Sequence, residues 1–352
     1  MANGLKHRGG NQGRGKNSER ERRVFVTRPI AEPAIHRLAA MVRVDLWDDE
    51  MPPPPAELRA RARQADGVLS MVTDRFDAAM IRALPRLRAI SNLAVGVDNI
   101  DLAAATRAGI AIGHTPGILT ETTADLAFGL LMAAARRIAE GDRYVRGKRW
   151  RTWGPKVMLG RDIHGATLGI IGWGAIGQAM ARRAAGFGMR VLYLPGRRTA
   201  RSRRALASAS AEPSMPQATS LERLLAESDF VSLHVPLTAE TRHMIGEAEL
   251  STMKRTAILI NTARGAIVDS TALAGALRAG RLAGAGLDVT DPEPIAANDP
   301  MLKLSNVVIT PHIGSASHAT RLKMAELAVD NLIDVFEGRR PRHCANPTVR
   351  IR

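Results

Sequence analysis

The feature that most limits what this chain can become is Thr167-Leu168-Gly169-Ile170-Ile171-Gly172-Trp173-Gly174-Ala175-Ile176-Gly177, an apolar run ending in a Gly-x-Gly-x-x-Gly turn. The run predicts a buried strand. Gln178 to Ala185, built from small and straight-chain residues that lose little rotamer freedom, predicts a helix straight after it. In such a turn Gly172 lets the chain leave the strand sharply, Gly174 lets backbone approach a pyrophosphate, and Gly177 lets the helix pack against the strand. The helix start, Ala175 and Ile176, then offers unpaired N–H groups to the anion. With 31 glycines in 352 residues the spacing alone is weak. Its seat between strand and helix favours a dinucleotide fingerprint over an ordinary glycine-rich turn.

The next strand shapes the choice of dinucleotide. An NAD site usually carries Asp or Glu about 20 residues on, accepting from the ribose 2′-hydroxyl. Here Met189 to Leu194 is followed by Pro195-Gly196-Arg197-Arg198-Thr199, and no Asp or Glu occurs between Asp162 and Glu212. Arg is the geometric match for a 2′-phosphate. The expectation is therefore NADP(H) in preference to NAD(H), with Arg197 and Arg198 as the phosphate clamp and Thr199 as a hydroxyl donor. The plainer alternative is a pair of solvated arginines in an Arg-rich chain.

A formal charge of +16 raises nucleic acid as a partner. Much of the surplus is local, since Lys6, Arg8, Arg14, Lys16, Arg20, Arg22 and Arg23 crowd one end against only Glu19 and Glu21. That segment has few large apolar residues to offset its ordering entropy, so residues 1–22 are expected to be a disordered basic tail. Aromatic residues make up 3% of the chain, which leaves no stacking platform for bases, and no nucleic-acid partner is expected. The apolar run from Leu126 to Ala135 is too short to span a bilayer, so no membrane partner is expected either. With a single cysteine, Cys344, and no visible cleavable signal, a cytoplasmic location is expected.

From Arg23 onward short β-branched runs alternate with helical ones. Strands are predicted at 24–26, 43–46, 67–71, 87–93 and 110–112, and helices at 34–41, 56–64, 78–84 and 102–108. Such alternation implies parallel strands with right-handed crossovers, hence an α/β fold. One long helix is expected from Ala124 to about Val145. Further strands are expected at 230–235, 256–261, 284–289 and 307–310, a surface insertion at 200–219, and a last helix from about Ser315 to Phe336.

In open α/β sheets, ligands bind beyond the carboxyl ends of the strands. Arg264, Glu293 and His312 follow three such ends. An Arg can hold a carboxylate by two prongs and polarise the neighbouring carbonyl. Imidazole can donate a proton to that oxygen while hydride reaches the carbon, and a carboxylate on the other ring nitrogen fixes the tautomer. Taken singly, each residue has an ordinary structural reading as a surface charge, a turn residue or a buried histidine.

Five segments make the chain recognisable: Asn92-Leu93-Ala94-Val95-Gly96-Val97-Asp98-Asn99-Ile100, the Gly172–Gly177 turn, Asn261-Thr262-Ala263-Arg264-Gly265, Gly286-Leu287-Asp288-Val289-Thr290-Asp291-Pro292-Glu293-Pro294, and Thr310-Pro311-His312-Ile313-Gly314-Ser315-Ala316. From about Val24 to Glu337 the chain resembles the D-isomer-specific 2-hydroxyacid dehydrogenases, in particular the glyoxylate/hydroxypyruvate reductase branch.

The resemblance implies two parallel α/β domains, Rossmann-like and flavodoxin-like, with the active site between them. Residues 23–119 and 312–352 would form a discontinuous substrate-binding domain, and 120–311 the NADP-binding Rossmann domain. It implies that Arg264 and His312 contact a small 2-keto acid, that Glu293 pairs with His312, and that backbone at Val95 and Gly96 holds the substrate carboxylate. Val235, Pro236, Thr262, Ala263, Asp288 and Gly314 would line the cofactor, with Asp288 facing the nicotinamide carboxamide.

The segment Trp150-Arg151-Thr152-Trp153-Gly154-Pro155 is similar to a dimer-forming loop whose tryptophan, here Trp153, reaches the partner's substrate pocket; packing on its own subunit is the alternative. His114 stands where the family usually has Asn before Thr-Pro. The expected activity is NADPH-dependent reduction of glyoxylate and hydroxypyruvate by a homodimer. The alternatives are another D-2-hydroxyacid dehydrogenase, acting on D-lactate, D-3-phosphoglycerate or a branched keto acid, or a dinucleotide-sensing corepressor.

Overall fold

A computed structural model describes residues 21–196 and 215–351. The clamp candidates Arg197, Arg198 and Thr199, the expected tail up to Arg20, and the expected insertion up to Ser214 lie outside the described residues.

The first half of the chain alternates β1 (Arg23–Val26), α1 (Glu32–Ala39), β2 (Arg43–Leu46), α2 (Pro55–Gln64), β3 (Gly67–Ser70), α3 (Ala78–Arg82), β4 (Ala89–Asn92), α4 (Leu102–Arg107) and β5 (Ala111–Gly113). All strand pairs are parallel, in the order β2-β1-β3-β4-β5. Covered on both faces, β1, β3, β4 and β5 bury apolar side chains at successive positions, whereas the edge strand β2 is Arg-Val-Asp-Leu. Phe25, Val68, Ile90 and Ile112 face the layer of α2 to α4. Their neighbours Val24, Leu69, Ala89 and Ala111 face the other side. Helix starts are set by side chains that accept orphan N–H groups: Asp77 takes Met80 N at 2.9 Å and Asp101 takes Ala104 N at 2.8 Å. Each such cap contributes about 1 kcal/mol.

Next come α5 (Thr120–Ala135) and α6 (Ile138–Arg146), where one uninterrupted helix was expected. The break has a visible cause. In a continuing helix the Ala135 carbonyl would receive the N–H of residue 139, but Arg161 N–H takes it at 2.8 Å. Arg137 then turns in the left-handed region (φ 54°), its guanidinium held by Glu140 at 2.8 and 2.9 Å.

The second sheet contains β6 (Thr167–Ile171), β7 (Arg190–Leu194), β8 (Gln217–Ala218), β9 (Phe230–Leu233), β10 (Ile258–Asn261), β11 (Gly284–Leu287) and β12 (Val307–Ile309). They run parallel in the order β12-β11-β10-β9-β6-β7-β8. The interleaved helices are α7 (Ala175–Gly186), α8 (Leu221–Glu227), α9 (Glu247–Thr252) and α10 (Ser270–Arg278). The short edge strand β8 falls inside the expected insertion, so 217–218 belong to the sheet. Strand order reverses between β7 and β9 around β6, the switch point at which open α/β sheets bind dinucleotides.

The last helix, α11 (His318–Phe336), does not stay with the second sheet. Met324, Ala328, Leu332 and Phe336 pack among Val24, Leu69 and Ala89 of the first. Residues beyond it follow, with the Asn346 amide joining Ile110 O and Ile112 N at 2.9 Å each. Thr122 on α5 and Thr320 on α11 share a hydrogen bond of 2.6 Å, tying the two helices together beside the cleft.

Candidate active site

The carboxyl ends of both sheets face a cleft of about 870 Å³. Val95 and Gly96 enter it from the loop after β4, Gly174 to Ile176 from the turn after β6, and Val235 and Pro236 from beyond β9. Thr262 to Arg264 follow β10, and Asp288, Glu293, His312 and Gly314 complete the wall. The structure therefore brings together on one cleft most of the residues singled out in the chain; Gly172 and Gly177 shape the turn without lining the cleft, and His114 lies outside its wall. The arginine clamp lies outside the described residues, and Trp153 stands apart from the cleft with 78% of its surface exposed, not packed on its own subunit.

His312 and Glu293 are joined by a hydrogen bond, Nδ1 to Oε1 at 2.5 Å. A carboxylate oxygen can only accept here, so Nδ1 carries hydrogen and Nε2 is the nitrogen left for chemistry. The ring is presented by strained backbone. His312 has φ 54°, which disfavours a residue bearing Cβ, and the loop is pinned to hold it. Asp288, 1% exposed, provides the pins: its carboxylate accepts from Thr310 Oγ1 (2.6 Å), Ile313 N (2.8 Å) and Gly314 N (2.7 Å), and its carbonyl from His312 N (2.9 Å).

Arg264 is held from behind and from the side. Asn261, buried at the end of β10, donates to the Arg264 carbonyl (2.8 Å) and accepts from Ala263 N (3.0 Å), closing a tight turn. The guanidinium gives Nη1 to Ala263 O (2.8 Å) and directs Nε and Nη2 at the Asp98 carboxylate (3.0–3.2 Å). Asp98 sits on the loop after β4, so this pair reaches across the cleft.

The glycine turn has the form its spacing required. Gly172 has φ 106°, and a Cβ there would come within 2.6 Å of the His234 main chain. A Cβ on Gly177 would lie 2.1 Å from Gly172 O, whereas one on Gly174 would meet nothing within 4 Å. The N-cap of α7 is Gly174, with no side-chain cap, and Gln178 N is the first amide returned to the helix. An open cradle with orphan N–H groups at a helix start fits a dinucleotide pyrophosphate. Trp173 stacks on Tyr193 of β7, ring centroids 4.0 Å apart, and braces the turn against the second strand.

His234, at the rim of the same turn, bonds Ser232 Oγ through Nε2 at 2.9 Å, and burial pushes its pKa down to about 4. It, Asp98 and the pinning role of Asp288 were missed in the sequence. Asp98 lies in the segment Asn92 to Ile100, and the signal for it is a carboxylate two residues from the carboxylate-binding glycine that the resemblance implies. Among the described residues no group of three or more His, Cys, Asp or Glu is placed to hold a metal ion, and no helix is long and apolar enough to cross a membrane.

Two parallel α/β layers, a glycine turn at the switch point and an imidazole–carboxylate pair facing an arginine define the class of dinucleotide-dependent oxidoreductases. The model of the D-isomer specific 2-hydroxyacid dehydrogenase NAD binding domain matches residues 128–314. A glyoxylate reductase of Korarchaeum cryptofilum is 52% identical over 328 residues, covering 93% of this chain and 96% of that protein. A crystal structure of a Thermus thermophilus protein superposes with a TM-score of 0.84 at 48% identity, over 92% of this chain and 99% of the other. An NADPH-dependent glyoxylate/hydroxypyruvate reductase of Sinorhizobium meliloti, solved with NADP and malonate, gives 0.81 at 30% identity, over 95% and 99%. The chain belongs to the D-isomer-specific 2-hydroxyacid dehydrogenase family.

Proposed function

We propose that this protein reduces small 2-keto acids with NADPH, glyoxylate to glycolate and hydroxypyruvate to D-glycerate. The observation that carries the reading is the His312–Glu293 pair opening on the same cleft as Arg264 and the Val95–Gly96 backbone. Arg264 and the Val95 and Gly96 N–H groups bind the substrate carboxylate, which turns the adjacent carbonyl toward His312. When bound, the reduced nicotinamide supplies hydride to the carbonyl carbon. His312 Nε2 delivers the proton to the oxygen, and Glu293 stabilises the imidazolium before transfer and orients the neutral ring after it.

Asp98 favours substrates without a second anionic group, because its carboxylate already lies against Arg264 and repels further negative charge nearby. That argues for glyoxylate and hydroxypyruvate over a phosphorylated keto acid. The preference for NADPH rests on Arg197 and Arg198 together with the absence of acidic residues from 163 to 211. The cofactor named for the Sinorhizobium meliloti relative agrees with it. A homodimer is supported by an unusual run of exposed apolar side chains on and after α6: Ile138, Val145, Trp150, Trp153, Val157 and Leu159.

The test is initial rates for glyoxylate, hydroxypyruvate, pyruvate and phosphohydroxypyruvate with NADPH and NADH, alongside His312→Asn. Asn tolerates left-handed backbone, so this variant isolates the chemistry from the strain. Its kcat should fall by about 10²–10⁴ with NADPH affinity unchanged. Retained turnover removes His312 from its role; faster rates with NADH or with phosphohydroxypyruvate overturn the cofactor or substrate assignment.

A further inference from the structure

The loop Ala94-Val95-Gly96 is held at its start by the Ala94 N–H, which donates to Asn92 O (2.8 Å), and beyond that through its carbonyls. Thr115 N donates to Ala94 O (2.8 Å), His114 Nδ1 to Val95 O (2.9 Å) and Asn92 Nδ2 to Gly96 O (2.9 Å). Each peptide unit is planar and trans, so anchoring a carbonyl on one side aims the following N–H at the other. Val95 O and Gly96 N–H belong to one such unit. Among the described residues neither Val95 N nor Gly96 N has a protein acceptor, and both residues line the cleft.

His114 itself is behind the loop, outside the cleft wall, so it touches the loop and not the ligand space. A carbonyl oxygen can only accept, which requires hydrogen on Nδ1. The residue is fixed by the C-terminal part of the chain: its own N–H reaches His343 O (3.1 Å), and its carbonyl takes Nδ2 of Asn331 on α11 (3.0 Å). Asn331 is itself buried against Gly113, where an added Cβ would come within 2.6 Å. His114 is therefore tied through its backbone to α11 and through its ring to the loop.

We propose that His114 is a positioning residue for substrate binding: through the Val95 carbonyl it aims the Gly96 N–H at the carboxylate of the 2-keto acid. This rests on the keto-acid reading above. A neutral amide at this position would serve the same purpose with an arm of the same length, since the Asn side-chain nitrogen, like His Nδ1, is bonded directly to Cγ and places a donor near where Nδ1 stands. Loss of the donor frees the peptide to rotate and weakens carboxylate binding equally in ground and transition states, raising KM without lowering kcat.

The experiment compares wild type, His114→Leu and His114→Asn by steady-state reduction of glyoxylate with NADPH, inhibition by oxamate as an unreactive keto-acid mimic, and thermal unfolding. Leu should raise the glyoxylate KM and the oxamate inhibition constant about tenfold, leave kcat within about twofold and leave the NADPH KM unmoved; Asn should restore both constants. A wild-type KM in the Leu variant overturns the assignment. So does a parallel loss in kcat, NADPH KM and Tm, or a failure of Asn to restore. Should Leu not fold, His114→Gln, whose donor lies one bond too far out, is judged by the same criteria. A wild type that neither reduces glyoxylate nor binds oxamate refutes the keto-acid reading and this inference with it, whereas an active wild type confines any failure to His114.

Discussion

Gly96→Ala is the sharpest test of how the cleft binds its substrate. Gly96 does not adopt positive φ, so its backbone accepts Ala without strain. A Cβ there would lie 2.0 Å from Arg264 Nη2, 3.0 Å from Arg264 Cζ and 2.8 Å from Asp98 Oδ1, and no main-chain atom is among these nearest contacts. Ordinary contact begins near 3.4 Å, so the guanidinium must retreat by about 1.4 Å and its two-pronged hold on Asp98 is lost. Both obstacles are side-chain ends that can swing into the cleft, so the fold survives while the anion-binding group is displaced. A shift of about 1 Å at a substrate-positioning group costs about 10²-fold, or about 2.7 kcal/mol of transition-state stabilisation. In steady-state assays with glyoxylate and NADPH, kcat/KM should fall by that order, with Tm within a few degrees of wild type and NADPH affinity preserved. A kcat/KM within about threefold of wild type would refute the placement of Arg264 against this loop. A large loss of Tm would move the effect from binding to folding.

Gly177→Ala should behave oppositely. Its Cβ would press on Gly172 O, a main-chain atom that cannot yield, so Tm should drop, with a stability cost of about 1–3 kcal/mol, and NADPH binding should weaken more than tenfold. Unchanged fluorescence titration with NADPH would contradict the turn geometry. His234 makes stability depend on pH. Its folded pKa of about 4 lies below the ordinary 6.5, so the unfolded state binds its proton first and stability falls as pH drops through that interval. The loss between about pH 7 and about pH 5 is at most about 2 kcal/mol, and His234→Gln should flatten it in denaturant titrations. An identical slope in the variant would show that other groups govern the acid limb.

Much of this protein could be read along the chain because the relevant interactions are between near neighbours. The apolar run into Gly172-Trp173-Gly174 sets a strand and a turn from local sterics alone, and the apolar runs at 24–26 and 258–260 stop where polar residues begin. Arg264, Glu293 and His312 could be proposed as partners because parallel strands deliver their carboxyl ends to one edge. Other features depend on residues that meet only after folding. The helix expected from 124 to 145 stops at Ala135 because Arg161, 26 positions later, takes the carbonyl it would need. Asp98 finds Arg264 across 166 residues, and His114 finds the Val95 carbonyl while α11 fixes it from the far end of the chain. Periodicity and propensity specify which face a segment buries; they carry no information about which distant donor will reach a given carbonyl. That pairing is decided by how the two sheets and the returning helix come together, and it is there that the cleft acquires its orientation toward a carboxylate.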